Sequence, residues 1–377
     1  MKERNPNRLV RAWRRFQEKY QRPKVIRMPP SRPESRPSGQ DTEHAPSTAA
    51  PPEPAAITTM LSAGCGGSVL LVGFDSAWTV GNTGGLVAVL RSVDGTFVEL
   101  GPPHSVRYPE AAETIQGWQS KLEPASTLIL LDQPTIVRNA TGQRPVEGIA
   151  GSPIGRHGGG MQPANTSKDD MFGPSAPVWG FLGAFGGAAD PREPVRSTTV
   201  VETYPCLALF ALDWLLPGAG VIRRLPKYNP ANRAKFSLED WRFVCGRAGA
   251  ELRSLGLMEL PQWLDEMAEL RAPRKADQDG LDACLCLIVA LHLAELKKCL
   301  MVGDMSTGYI VVPCGDMLAR ELTERCPLAG YNAPDWVHEF YPTIQEGLRV
   351  RTDEAQPRRG DEWPTAEEGG AGDAREH

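Results

Sequence analysis

Five acidic residues of this chain stand where an α/β fold can do chemistry. Asp75 closes the apolar run Ser68–Phe74, Asp132 closes Thr127–Leu131, and Glu202 ends the run Thr198–Glu202. Burying a carboxylate is costly unless it is paired or bound to a cation, and ligands of α/β sheets collect at the carboxyl ends of strands. Asp279 and Asp282 lie three residues apart, so they share one face of a helix opening near Asp277, while Leu281, Cys284, Leu285 and Ile288 give that helix its packing surface. Oxygen donors of this type suit Mg²⁺ or Mn²⁺, and two such ions about 4 Å apart activate a water and stabilise the leaving oxygen of a phosphodiester. On this reading Asp75, Asp132, Asp279 and Asp282 are catalytic acids and metal ligands, with Glu202 a further ligand or a supporting acid. The competing reading is structural: acids at a helix N-terminus serve capping and the macrodipole, and Asp75 suits a turn.

A phosphate substrate needs cations. Arg223, Arg224, Lys227, Arg233 and Lys235 fall within thirteen residues that contain no acid, with Tyr228 among them to stack a base. Arg138, Arg144, Arg156 and Lys168 sit in a Gly-rich stretch after Asp132, where Pro163 stiffens the chain beside Asn165, a residue able to position water or phosphate. The basic stretch equally serves to balance the field of an acidic domain. Gly155-Arg156-His157-Gly158-Gly159-Gly160 matches neither a dinucleotide fingerprint nor a Walker motif; His157 is a proton-shuttle candidate or a solvated loop residue. Cys284 and Cys286 fall on different helical faces and read as core.

The elements that must hold these groups follow from periodicity. Ser68–Phe74 and Thr127–Leu131 are short continuous apolar runs, the pattern of buried central strands. Gly84–Val93 and Thr96–Gly101 flank Asp94-Gly95, a type I′ hairpin signal, so the domain opens as a β-meander. Helical spacing over Glu110–Leu122 between two buried strands predicts a right-handed crossover with parallel pairing. Residues 135–198 show little periodicity and read as a long functional or irregular insertion. After the strand Thr198–Glu202, helices are expected at Cys206–Leu215, Ser237–Leu255, Pro261–Arg271 and Asp279–Lys298, then a strand at Tyr309–Val312.

Charge divides the 377 residues unevenly around a net of −5. Residues 1–40 carry 12 Lys/Arg against 3 Asp/Glu, and Leu9, Trp13, Phe16 and Tyr20 recur at helical spacing among Arg8, Arg11, Arg14, Arg15 and Lys19. That predicts a basic amphipathic helix over 1–27, a tail for nucleic acid or anionic membrane surfaces, or else a plain solubilising extension, untranslated if synthesis starts at Met60. A Pro-rich disordered linker is expected over 28–67, one folded domain over 68–349, and a disordered acidic tail over 350–377. No run approaches 18 apolar residues, the N-terminus lacks the apolar run of a signal peptide, and the eight cysteines contain no CxxC pair. Together these predict a cytoplasmic protein without a membrane span or a zinc site.

Six motifs in order resemble the domain-of-unknown-function 429 family, described as predicted nucleases of ribonuclease H-like fold. They are Gly73-Phe74-Asp75-Ser76-Ala77-Trp78, Leu131-Asp132-Gln133-Pro134, Gln162-Pro163-Ala164-Asn165, Val201-Glu202-Thr203-Tyr204-Pro205, Asp279-Gly280-Leu281-Asp282-Ala283-Cys284 and Gly308-Tyr309-Ile310-Val311-Val312-Pro313. The resemblance implies a five-stranded mixed sheet in the order 3-2-1-4-5, flanked by helices. It makes Asp75 the first-strand acid and Asp132 the fourth-strand acid, with Glu202 a looser counterpart, and it likens Asp279 and Asp282 to the helical Asp-x-x-Asp-Ala of Holliday-junction resolvases. The expected function is a metal-dependent nuclease with two Mg²⁺ or Mn²⁺ ions, acting on a small or structured nucleic acid. The alternatives are a non-catalytic adaptor that binds nucleic acid or protein, and a nucleotide-binding ATPase or phosphotransferase of the same superfamily, whose phosphate loops and duplicated domain the chain does not display.

Overall fold

A computed structural model of the chain describes residues 67–342 apart from 196 and 219–221. The basic helix expected over 1–27, the linker but for its last residue, and the acidic tail over 350–377 lie outside the described residues.

Two wholly apolar runs become the centre of a sheet because neither face can be left to water. β1 (Val69–Asp75) and β5 (Ser126–Asp132) pair in parallel, and β6 (Thr198–Glu202) extends them on the far side of β5. On the other side β2 (Gly84–Arg91) runs antiparallel to β1, and both β3 (Phe97–Glu99) and β4 (His104–Val106) pair with it. The α/β architecture with a mixed, helix-flanked sheet is therefore as expected. There are six strands rather than five, the path being β3-β2-β1-β5-β6 with β4 on β2. At three residues β4 is too short for alternation to register in the sequence. The β2–β3 turn is also corrected: only Gly95 has a positive φ, of 86°, and Ser92 accepts a bond from Gly95 N–H at 3.0 Å. A type I′ turn needs two positive φ values; this is a three-residue connection with glycine in the left-handed position.

Period-two alternation along β1 feeds two cores. Leu70, Val72 and Phe74 pack under α1 (Tyr108–Leu122), the crossover helix. Val69 and Leu71 belong to the opposite layer, dominated by a long helix running over Lys275–Ala294. A Cβ at Gly73 would collide with the Ala283 carbonyl oxygen of that helix, and one at Gly85 with the carbonyl of Asp279. Only glycine lets the helix lie this close to β1 and β2.

The insertion is more regular than its composition suggests. It carries α2 (Pro145–Arg156), α3 (Asp169–Phe172) and α4 (Pro177–Ala184), with proline opening both α2 and α4. Glu147 fixes the start of α2 by accepting the Arg144 backbone N–H at 2.9 Å. Beyond β6, α5 (Pro205–Ala211) stops short of the expected Leu215, and Asp213 turns the chain with a φ of 59°. α6 (Leu238–Ser254) and α7 (Glu259–Glu269) lie close to expectation, joined by a bond from Trp241 Nε1 to the Met267 carbonyl at 2.7 Å. The long helix, α8, begins at Lys275, one turn before the expected Asp279. After it β7 (Cys299–Asp304), β8 (Gly308–Pro313) and β9 (Val337–Phe340) form a second antiparallel sheet in the order β8-β7-β9, of which only β8 was expected. β7 follows α8 through a tight turn at Leu296, φ 54°, within the short polar segment Glu295–Lys298. α9 (Asp316–Arg325) and α10 (Ala333–Trp336) complete the region. Among the described residues no helix is long and apolar enough to cross a membrane.

Candidate active site

The pairing register brings the first two acids together. Asp75 and Asp132 are direct partners at the carboxyl ends of parallel strands β1 and β5. α8, seated on Gly73 and Gly85, carries Asp279 and Asp282 to the same sheet end, and all four line a cavity of about 600 Å³. Asp277, not Asp279, takes the capping role: it accepts the Arg274 backbone N–H at 2.7 Å. The structural reading of a helix-start acid thus holds for Asp277, whereas Asp279 is paired with Lys275 within the helix and lines the cavity.

Fixed polar groups surround the acids. Tyr228 donates its hydroxyl to Asp282 Oδ1 at 2.7 Å, and Gln278 Nε2 donates to Oδ2 at 2.5 Å. Gln133, next to Asp132, accepts bonds from the Ser76 hydroxyl at 2.5 Å and from the Tyr108 hydroxyl. Asp75 Oδ2 is buried with no hydrogen-bond partner. Lys275 Nζ pairs with Asp279 Oδ1 one helical turn away.

Burial, followed by repulsion from Asp132 and Asp282, holds the Asp75 carboxyl well above the usual carboxylate range. Asp132 is raised likewise, by burial and then by Asp282. Burial pushes Asp282 to about 6 in spite of its Tyr228, Lys275 and Gln278 partners. Burial alone would lower the Lys275 ammonium, but Asp75, Asp279 and Asp282 outweigh it and the net shift is upward. One amine faces four carboxyl groups, and the crowding favours protons on Asp75 and Asp132 that a bound cation would displace.

Glu202 and Arg144 do something other than expected. Glu202 pairs in register with Leu131, one residue out of step with Asp132. Arg144, whose side chain is 1% exposed, donates to Glu202 Oε1 at 2.6 Å and Oε2 at 3.0 Å, to Glu147 Oε1 at 2.9 Å and to the Ile136 carbonyl at 3.0 Å. Thr135 N–H also donates to Glu202 Oε2, at 2.8 Å. The result is a buried Glu147–Arg144–Glu202 triad in the cavity wall, which clamps the insertion to β6. Its charged atoms already have partners, so Arg144 is no substrate contact and Glu202 is committed to an ion pair rather than free for a metal.

The remaining expected phosphate contacts do not reach the cavity. Arg223 pairs with Asp213 at 2.5 Å, Arg224 pairs with Asp240, and Lys227 binds the Gly158 carbonyl. Arg138, Arg233 and Lys235 are exposed elsewhere. Asn165 is buried and braces its own loop, donating to the Gly142 carbonyl at 2.7 Å and accepting from the Ser167 hydroxyl at 2.6 Å. His157 is neither solvated nor a shuttle at this site. It is buried between the Arg223 carbonyl, at 2.7 Å from Nδ1, and Glu321.

Two lining residues, Lys275 and Trp78, were given no role in the sequence reading. Lys275 carries a readable signal, being four residues before Asp279 on one helix face. Trp78 closes the first motif, Gly73–Trp78; it occupies the left-handed region with φ 60°, unusual for a bulky side chain, and stands edge-on to Phe172 with ring centroids 5.9 Å apart. Among the described residues no set of three or more His, Cys, Asp or Glu side chains is arranged as a ready metal cage.

The fold and site define an α/β protein with an acidic pocket at the carboxyl end of its central parallel strands. Residues 73–304, more than half of the chain, match the family model described as protein of unknown function (DUF429), and the chain belongs to that family. Comparison with curated proteins and with solved structures gives no match.

Proposed function

We propose that this protein is a phosphodiester hydrolase using the Asp75, Asp132, Asp279 and Asp282 cluster with Mg²⁺ or Mn²⁺. The observation that carries the reading is the Asp75–Asp132 register pair, buried together at the carboxyl end of the central strands with Asp75 Oδ2 unpartnered. An orphaned carboxylate oxygen in a site crowded with carboxyl groups fits a hard divalent cation, although Lys275 holds Asp279 in this conformation. The sheet path β3-β2-β1-β5-β6, read without β4, supports a ribonuclease H-like relationship.

Asp75 and Asp132 are the residues that would hold the cation, with Asp279 joining them on release from Lys275. When bound, it would supply charge neutralisation at the phosphate and a more acidic water. Asp282, oriented by Tyr228 and Gln278 and titrating near 6, is suited to take a proton from the attacking water. In the reaction the water oxygen bonds to phosphorus, the ester P–O bond breaks, and the departing alkoxide is protonated from solvent, leaving a phosphate monoester and an alcohol.

The test is calorimetric titration of Mn²⁺ into the wild type and Asp75→Asn, with circular dichroism as a folding check and bis(p-nitrophenyl) phosphate as a turnover probe. Saturable binding and turnover that both disappear in a folded Asp75→Asn protein support the reading. A folded wild type that takes up no Mn²⁺ overturns it.

A further inference from the structure

We infer that the pocket takes a small phosphodiester carrying one or two ring-bearing groups, of the size of a cyclic mononucleotide or a dinucleoside monophosphate, and not a nucleic-acid strand. The inference rests on the hydrolase reading above and narrows its substrate.

Volume is the first reason. A cavity of about 600 Å³ is of the size that encloses one small molecule, for which pockets run from roughly 300 to 1,000 Å³. The second is the supply of cations. A strand is held by a run of Lys and Arg side chains that follow successive phosphates, with several contacts per site. Among the described residues, only Arg144 and Lys275 represent those residue types in the cavity lining. Arg144 is consumed by Glu147 and Glu202, whereas the Lys275 side chain is 57% exposed at the mouth. That leaves, among the described residues, Lys275 alone, which would exchange its Asp279 partner for one phosphate.

The basic stretch that would have gripped a strand is directed elsewhere. Arg223 and Arg224 are spent on Asp213 and Asp240, and none of the five cations of the stretch lines the cavity. Neutral groups make up the recognition surface instead. Trp78, held in its uncommon backbone conformation beside Asp75, offers an aromatic surface, and the amides of Asn82, Gln162 and Asn229 offer donors and acceptors to a heterocycle edge.

The experiment uses the full chain with Mn²⁺. The small probes are bis(p-nitrophenyl) phosphate, 3′,5′-cyclic AMP, 2′,3′-cyclic AMP and the dinucleoside monophosphate ApA. The polymer probes are single-stranded and duplex 20-mers of DNA and RNA. Hydrolysis and calorimetric binding are read for each, together with competition by the 20-mers. Turnover of at least one small diester that the 20-mers do not inhibit, with its affinity about 10-fold weaker or more in Lys275→Met while Mn²⁺ binding persists, supports the inference. Cleavage of a 20-mer in preference to every small diester, or Mn²⁺ binding with no small diester bound, overturns it and leaves the hydrolase reading standing. Absence of Mn²⁺ binding removes the hydrolase reading and this inference with it.

Discussion

Asp75 and Asp132 are nearest neighbours across a parallel strand pair, each the last residue of its strand. Two carboxyl groups forced together in a buried setting cannot both ionise cheaply, and each is held above its ordinary value. Such a pair is a poor device for stability and a good one for a cation.

Asp75→Asn should therefore separate function from folding. The substitution removes the Asp75–Asp132 repulsion and the cost of burying the Asp75 charge, so the melting temperature is expected to stay level or rise. Turnover is expected to fall by about 10²–10³-fold or more, the order seen when one electrostatic partner of a transition state is removed. Melting curves and rates measured on the same preparation check both halves. A matched loss of stability and activity would contradict this assignment.

Asp282 gives a pH prediction with a definite sign. Its carboxyl titrates near 3.8 in an unfolded chain and near 6 in the fold. Between those values the native state binds the extra proton. Its contribution to stability is thus fully present at low pH and is lost as pH rises through about 6. Asp282→Asn mimics the protonated form and keeps an acceptor for Tyr228; the unpartnered Gln278 Oε1 can turn to meet the new amide. In chelator at pH 7.5 the variant should be more stable than wild type by roughly 2–3 kcal/mol, with the gap closing by pH 4. Urea unfolding across that range reads the difference.

Arg144→Met tests the buried triad. Removing the guanidinium leaves Glu147 and Glu202 buried without their cation, and breaking a buried pair in this way costs about 3–5 kcal/mol. The denaturation midpoint should fall accordingly. Were Arg144 a substrate contact instead, KM would rise while the midpoint stayed in place.

Gly73→Ala tests how the helical acids are seated. The added Cβ meets the Ala283 carbonyl and the Leu287 amide of α8, backbone atoms that cannot rotate away. Overpacking of this kind costs about 1–3 kcal/mol. Because α8 must lift off β1, Mn²⁺ affinity should drop even though no carboxylate has changed, which calorimetry on the folded variant would show.

The parts of this fold that were legible in the sequence are those where burial leaves a mark on composition. β1, β5 and β6 are short runs with few polar residues, and their terminal acids stood out against that background. The helices of the insertion left no such mark, because glycine and proline conceal the period; α2 is anchored by an ion pair instead. Lys275 was passed over because α8 begins a turn earlier than its acids suggest. Arg144 was misread since a cation surrounded by buried acids and one facing water look alike in one dimension. Glu202 lies one step of register from Asp132, opposite Leu131, in the place of a supporting acid.

The Glu147–Arg144–Glu202 clamp also orders assembly in time. An arginine stripped of water is tolerable only once both acids are in place, and Glu202 is fixed only when β6, over forty residues further along, has joined β5. The insertion is therefore expected to dock after the sheet has closed, so that a chain with a misplaced β6 would hold its pocket wall open and expose it to proteases before any activity can appear.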